Sequence, residues 1–211
     1  MESVLRRVDH LVYGTTDLDA AIDRLEKLLG VRATPGGRHP GLGTRNALIA
    51  LGPASYLEII APDPAEPAPE APRPFGIDDL GAPRLATWAA RGSGLEELVR
   101  SAAARGVMLG EVLHGSRRRP DGTLLDWRFT DPRRVLGDGL VPFFIDWGES
   151  AHPAETAARG TTLVDLRAEH PEPERVQAVL RHLGLGLAVE PGARPALVAT
   201  VRTALGRAEL R

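Results

Sequence analysis

The sequence predicts an α+β fold: two βαβββ modules that build a mixed sheet, followed by a C-terminal strand-helix-strand half module. Three observations predict it. The segments VDHLVYGTTDLDAAIDRLEKLLGV, RLATWAARGSGLEELVRSAAARGV and TLVDLRAEHPEPERVQAVLRHLGL share one plan, an apolar strand, an amphipathic helix, then glycine and an aliphatic residue. Their closing glycines, Gly30, Gly106 and Gly184, fall about 77 residues apart. After each of the first two helices come a turn-rich stretch and two short apolar runs bounded by glycine or proline. These spacings divide the chain into a first module over 1–61, a proline-rich linker over 62–80, a second module over 81–150 and a C-terminal unit over 158–211.

Each element has a local reason to form. In the first helix Leu18, Ile22, Leu25, Leu28 and Leu29 recur at helical spacing, with Thr16 or Asp17 placed to cap and Gly30 to stop. Ser93 followed by Glu96 predicts a capping box for the second helix, and Leu95, Leu98 and Val99 begin its apolar stripe. In the third, Pro171 suits the first turn, and Val176, Val179, Leu180 and Leu183 line one side. TRNALIALG and SYLEIIAP are the expected strands after helix one, and TLLDWRFT and LVPFFIDWG are their counterparts; Gly43-Thr44 opens TRNALIALG and Gly122-Thr123 opens TLLDWRFT. Between the modules PDPAEPAPEAPRP carries six prolines in thirteen residues, which favours extended geometry over a sheet interior. LGLAVEPG, PALVATVRTAL and GRAEL are the strand candidates of the C-terminal unit, expected to extend or cover the main sheet.

Composition narrows the functions. A formal charge of −2, from 28 acidic and 26 basic residues spread along the chain, leaves no sustained basic surface for nucleic acid. No run approaches the ~20 apolar residues that span a bilayer, and MESVLRRVDH lacks the apolar core of a signal peptide, so no membrane partner and a cytoplasmic location are expected. Cysteine is absent, which removes disulfides, thiolate ligands and a cysteine nucleophile. Lys27 is the only lysine and lies on a polar helix face, which argues against Schiff-base chemistry. No phosphate-binding glycine loop, zinc-protease histidine pair or nucleophile elbow is present.

Two tandem βαβββ modules, with VDHLVYGTTDLDAAI, GGRHPGLGTRNALIALG and SYLEII as the specific strings, resemble the glyoxalase-like domain family of the vicinal oxygen chelate superfamily, which includes glyoxalase I, extradiol dioxygenases and bleomycin resistance proteins. The resemblance covers residues 5 to 148 and, in longer members, the third unit. It implies a cupped sheet in which the first and last strands of each module hold a divalent metal, Zn, Ni, Mn or Fe. Those positions are His10 and Glu58 in module one, with Glu58 also the implied catalytic group. His10 is expected on a face with Val8 and Val12, Glu58 with Tyr56 and Ile60.

Module two departs from the pattern. Thr87 stands where His10 does, and Phe144 stands opposite Glu58, with Asp146 on the same face as the remaining candidate ligand. The ligand set is therefore incomplete. Asn46 and Leu48 are expected to face the cup beside Leu125, Trp127 and Phe129, with Thr87 available for a hydrogen bond and Phe144 as an apolar contact. His39 reaches over the rim, and Arg117, Arg118 and Arg119 can draw an anion to the mouth. His114, His152, His170 and His182 show no ligand spacing. Each residue also has a bland reading: a structural histidine–carboxylate pair, core tryptophans, a solvated arginine turn.

Three functions follow: a small-molecule enzyme with metal-assisted lyase, isomerase or dioxygenase-type chemistry; a metal-free protein that sequesters an apolar or aromatic compound; or an interaction scaffold. The expected partner is a small molecule, and the two modules permit a self-contained cup in a monomer or a homodimer.

Overall fold

A computed structural model describes residues 3–118 and 122–211. After a single turn, α1 (Val4–Arg7), module one runs β1 (Val8–Gly14), α2 (Leu18–Leu29), β2 (Thr34–His39), β3 (Thr44–Gly52) and β4 (Ser55–Pro62). Module two repeats the order with β5 (Arg84–Arg91), α3 (Leu95–Ala104), β6 (Val112–Arg118), β7 (Leu124–Thr130) and β8 (Phe143–Asp146). The C-terminal unit is β9 (Thr162–His170), α4 (Pro173–His182), β10 (Ala188–Pro191), β11 (Ala196–Thr203) and β12 (Gly206–Leu210).

The main sheet has the order β2-β3-β4-β1-β5-β8-β7-β6, which gives the same four-strand sequence when read inward from either edge. Antiparallel pairing of β1 with β5 joins the modules, and within each the first strand lies parallel to the last. The sheet curls until its edges approach: Arg117 of β6 packs against Gly37 of β2. The third unit makes its own sheet, β10-β9-β11-β12, in place of an extension of the first. It covers the outer face of the main sheet, where Leu163, Leu166, Leu197 and Val201 share one core with Leu11, Ile49, Leu57 and Trp88.

Helical caps follow local chemistry, with three differences from the sequence reading. Asp17 caps α2 by accepting the Ala20 N–H at 3.1 Å, and Gly30 ends it at φ 70°. The buried stripe is Leu18, Ala21, Leu25 and Leu29; Leu28, about 100° round the helix from Leu29, is exposed. At α3 the N-cap is Gly94, at φ 59° and with no side-chain cap bond, so Ser93 does not serve. Pro173 rather than Pro171 occupies the first turn of α4, because Glu172 is the cap residue.

Alternation along the strands sorts the main sheet into two faces. Leu11, Tyr13, Ile49, Leu57, Ile59, Trp88, Ala90 and Phe144 join the outer core with α2, α3 and the second sheet. Val12, Ile60, Ala89, Phe143 and Ile145 form a separate inner cluster, roofed by Phe75 and Ile77. These last two belong to a 3₁₀ segment, Pro74–Asp79, at the end of the proline-rich stretch. That stretch therefore contributes to the wall of the cup as well as joining the modules.

Candidate functional site

The inner face surrounds a cavity of about 630 Å³, counting the part open to solvent at its mouth. His10, His39, Asn46, Leu48, Glu58 and Trp127 all line it, so the strands bring together six of the residues expected there. Four others are placed elsewhere. Phe144 points to the outer face and is fully buried in the core; Phe143 and Ile145, one residue to either side, face the cavity instead. Asp146 shares the parity of Phe144 and turns away from His10, accepting the Gly148 N–H at 2.9 Å to close the turn after β8. Thr87 opens onto a small neighbouring hollow, behind Phe75 and Phe143. Leu125 is buried but does not line the cavity. Arg117 does line it, while Arg119 and the side chain of Arg118 lie outside the described residues.

Glu58 is held from one side. Asn46 donates through Nδ2 to Glu58 Oε1 at 2.5 Å, and Asn46 Oδ1 in turn accepts the Gly37 N–H at 2.8 Å, which fixes the orientation of the amide. This requires a bare backbone on β2: a Cβ at Gly36 would stand 2.1 Å from Asn46 Oδ1. His39 lies at the end of the same chain, with Nε2 3.4 Å from Asn46 Nδ2 and Nδ1 2.9 Å from Thr44 Oγ1. Burial pushes the pKa of His39 below the ordinary imidazole value, against an opposing pull from Glu58, so it is neutral at pH 7.

The other oxygen, Glu58 Oε2, stands 3.8 Å from His10 Nε2. His10 lies flat on Tyr56, with ring centroids 4.6 Å apart, and its edge meets Phe143. Its far nitrogen, Nδ1, is 2.8 Å from Asp9 Oδ1. Asp9 is a site residue that the sequence did not reveal. Strict alternation would send it to the apolar outer face, but the β1–β5 register slips between Val8 and His10, and this bulge turns Asp9 toward the side of His10. Val8, expected beside His10, joins the outer core for the same reason.

Asp9 is almost completely buried. An isolated carboxylate there would cost several kcal/mol, so its partners decide its state. His152 Nε2 and Trp147 Nε1 each lie 3.2 Å from it, and Arg91 Nε lies 3.8 Å away. Burial opposes ionisation, yet the hydrogen bonds from His10 and His152 hold the Asp9 carboxyl well below the usual carboxylate range. Asp9 is thus an acceptor at both oxygens. His152 Nδ1 accepts the Ala154 N–H at 3.2 Å, so its proton sits on Nε2 and is given to Asp9. By the same logic His10 donates through Nδ1 and presents Nε2 to the cavity.

The remaining wall is aromatic. Trp127 packs on Trp147 with centroids 5.2 Å apart, and Phe75 on Phe143 at 5.4 Å. A few polar groups converging in a hollow with aromatic walls is the form that small-molecule sites commonly take.

The implied metal can be tested against these donors. His10 Nε2 and Glu58 Oε2 are suitable in type, but the module-two positions offer Phe143 and Ile145 on β8, with Thr87 turned into its own hollow. Among the described residues no group of three histidines, aspartates or glutamates is arranged so that it could hold a metal ion. The residues present do not fit a divalent ion held by a full protein ligand set.

Fold and cavity together define a paired βαβββ protein of the small-molecule enzyme and binding class. Residues 8–184 match the family described as glyoxalase-like domain, and the chain belongs to that family. Among solved structures it is similar to a hypothetical protein from Staphylococcus aureus, with TM-score 0.61 and 14% identity over 92% of this chain and 80% of that one. It is also similar to methylmalonyl-CoA epimerase from Mycobacterium tuberculosis, with TM-score 0.46 and 21% identity over 70% of this chain and 92% of that one. No curated protein matches the chain. No helix among the described residues is long and apolar enough to cross a membrane.

Proposed function

We propose that this chain is an enzyme that moves a proton on a small, largely apolar carbonyl compound bound in the cup, with Glu58 and His10 as the reacting pair. The observation that carries the reading is the pair of atoms facing the cavity: Glu58 Oε2 and His10 Nε2, 3.8 Å apart, each fixed from behind by Asn46 and Asp9 respectively. With one proton between them, one atom is a base and the other an acid. The base takes a proton from the carbon beside the carbonyl, the C–H electron pair moves into the carbonyl system as an enolate, and the acid returns a proton to carbon or oxygen. Aromatic walls exclude water from the enolate and lower the local dielectric. Binding alone would not need this pair. A purely sequestering pocket gains more from apolar residues than from a buried carboxylate and imidazole.

The test is solvent exchange. The protein is incubated in D₂O with 2-oxo acids, 3-oxo acids and aryl ketones, and loss of the α-proton signal is followed by proton NMR. Exchange of at least one compound by the wild type and not by Glu58→Gln is expected. If no compound exchanges faster with the wild type than with the variant, the enzyme reading fails and sequestration by the aromatic walls replaces it.

The donor set also makes a prediction about metals. Adding Zn, Ni, Mn or Fe, or removing ions with a chelator, is expected to leave the melting temperature within about 1 °C and the exchange rate unchanged, because an ion bound to the native state would raise stability by mass action. A metal-dependent rise in either would restore a metal to the site.

A further inference from the structure

Resting on the proton-transfer reading of the same cup, we propose that Tyr56 is a further catalytic residue: its hydroxyl donates to the carbonyl oxygen of the substrate and stabilises the charge that gathers there in the enolate. β4 puts Tyr56 two residues before Glu58, on the same face, and the register with β1 sets it opposite His10. The phenol ring is clamped. His10 stacks on it with centroids 4.6 Å apart and planes at 19°, and the His152 ring meets it edge-on at 5.6 Å. Tyr56 lines the cavity and is 4% exposed, yet its hydroxyl makes no hydrogen bond to a described residue. That oxygen is not sealed within protein either, so the surface left to it is that of the cavity. Buried tyrosine hydroxyls usually have a partner. Phenylalanine would keep the stacking and bury no polar atom, so packing alone gives no reason for the oxygen.

The other donors around the cavity are in use. Asn46 Nδ2 donates to Glu58, and Trp147 Nε1 to Asp9. His39 and Thr44 bond each other, and Arg117 already interacts with protein groups. The indole nitrogen of Trp127 packs on Gly115, where a Cβ would stand 2.6 Å from it. Tyr56 is left, beside both reacting residues. Its place matches the chemistry. Removing a proton next to a carbonyl pushes an electron pair onto the carbonyl oxygen, and a fixed donor there binds more strongly as the charge develops. A phenol, with an ordinary pKa of about 10, keeps its proton at pH 7. Tyr56 therefore donates a hydrogen bond without replacing the acid that Glu58 and His10 supply between them.

The test compares the wild type with Tyr56→Phe. Acetophenone labelled at the carbonyl carbon is expected to show its C=O stretch at lower frequency on the wild type than on the variant. It should also bind the wild type about three- to tenfold more tightly, the worth of one neutral hydrogen bond. Ethylbenzene, which has no oxygen, should bind both proteins equally. In the D₂O exchange Tyr56→Phe should lower kcat about 10²- to 10³-fold, the cost of losing one oxyanion donor, with KM changed less than about tenfold. The melting temperature of the variant should not fall, because no internal hydrogen bond is lost. An unshifted carbonyl band on the wild type, or the same shift on the variant, overturns the proposal, as does failure of acetophenone to bind at millimolar concentration. A variant that loses stability and affinity for ethylbenzene as well assigns the effect to the ring, and overturns it too. The two readings fail separately. A carbonyl shift that depends on Tyr56, with no exchange of any compound, would sink proton transfer alone, whereas exchange undiminished in Tyr56→Phe would sink the role of Tyr56 alone.

Discussion

Replacing Asp9 by alanine is expected to destabilise the fold by about 3 kcal/mol, because it strands buried donors that have no other acceptor at hand. His10, His152 and Trp147 all converge on this carboxylate, from β1, the segment before the 3₁₀ turn at Pro153–Glu155, and the residue after β8. One residue thus ties the first strand to the end of module two. In a chain of this size the loss corresponds to a fall in melting temperature of roughly 10 °C. The effect has a pH signature. The folded carboxyl titrates below its unfolded value, so its contribution is fully present above the unfolded pKa of about 4 and is lost as pH falls through the folded value. Wild-type stability should therefore decline on acidification below about pH 4 more steeply than that of Asp9→Asn, which has no charge to lose. Urea denaturation at pH 7 and at pH 3 measures both quantities. Equal stability of wild type and Asp9→Ala at pH 7 would show that the network contributes nothing.

Glu58→Gln and His10→Gln are each expected to lower turnover by about 10²- to 10⁴-fold, the usual contribution of a positioned acid or base. The two should differ in their side effects. Glu58 accepts from the side chain of Asn46, and glutamine can still accept there through its carbonyl oxygen, so stability and ligand affinity should hardly change. His10 stacks on Tyr56 and donates to Asp9, so its loss should also lower the melting temperature. The double variant should be little slower than the worse single one, since the two atoms act as a unit. Multiplying losses would instead mean that they serve separate steps.

Much of the architecture was legible because each module writes its own signals. Gly30, the Asp17 cap, the apolar runs of β3 and β4 and the repetition at module two are local features, and the βαβββ order follows from them. Alternation along β1, β3 and β4 was enough to bring His10, Asn46, Leu48 and Glu58 to one face. It failed where the backbone departs from regular pairing. Asp9 sits at a bulge that period-two counting passes over, although an aspartate expected among outer-face leucines and valines was a sign of trouble. Phe144 and Asp146 were misplaced by one residue because β8 is four residues long and follows an irregular stretch, so matching strings between modules could not fix its parity. His152 lies 143 residues from Asp9, a pairing that spacing cannot see. Phe75 reaches the cavity from a proline-rich segment through a positive φ of 64°, a conformation its composition does not announce.

The central claim is that Asp9 fixes the proton of His10 on Nδ1 and so leaves Nε2 facing Glu58. Long-range proton–nitrogen correlation of the histidine rings at neutral pH measures this directly, with His10→Gln supplying the assignment. The account predicts a protonated Nδ1 on His10, with a hydrogen-bonded signal that disappears in Asp9→Ala. A His10 ring carrying its proton on Nε2 alone, with Nδ1 bare, would contradict it.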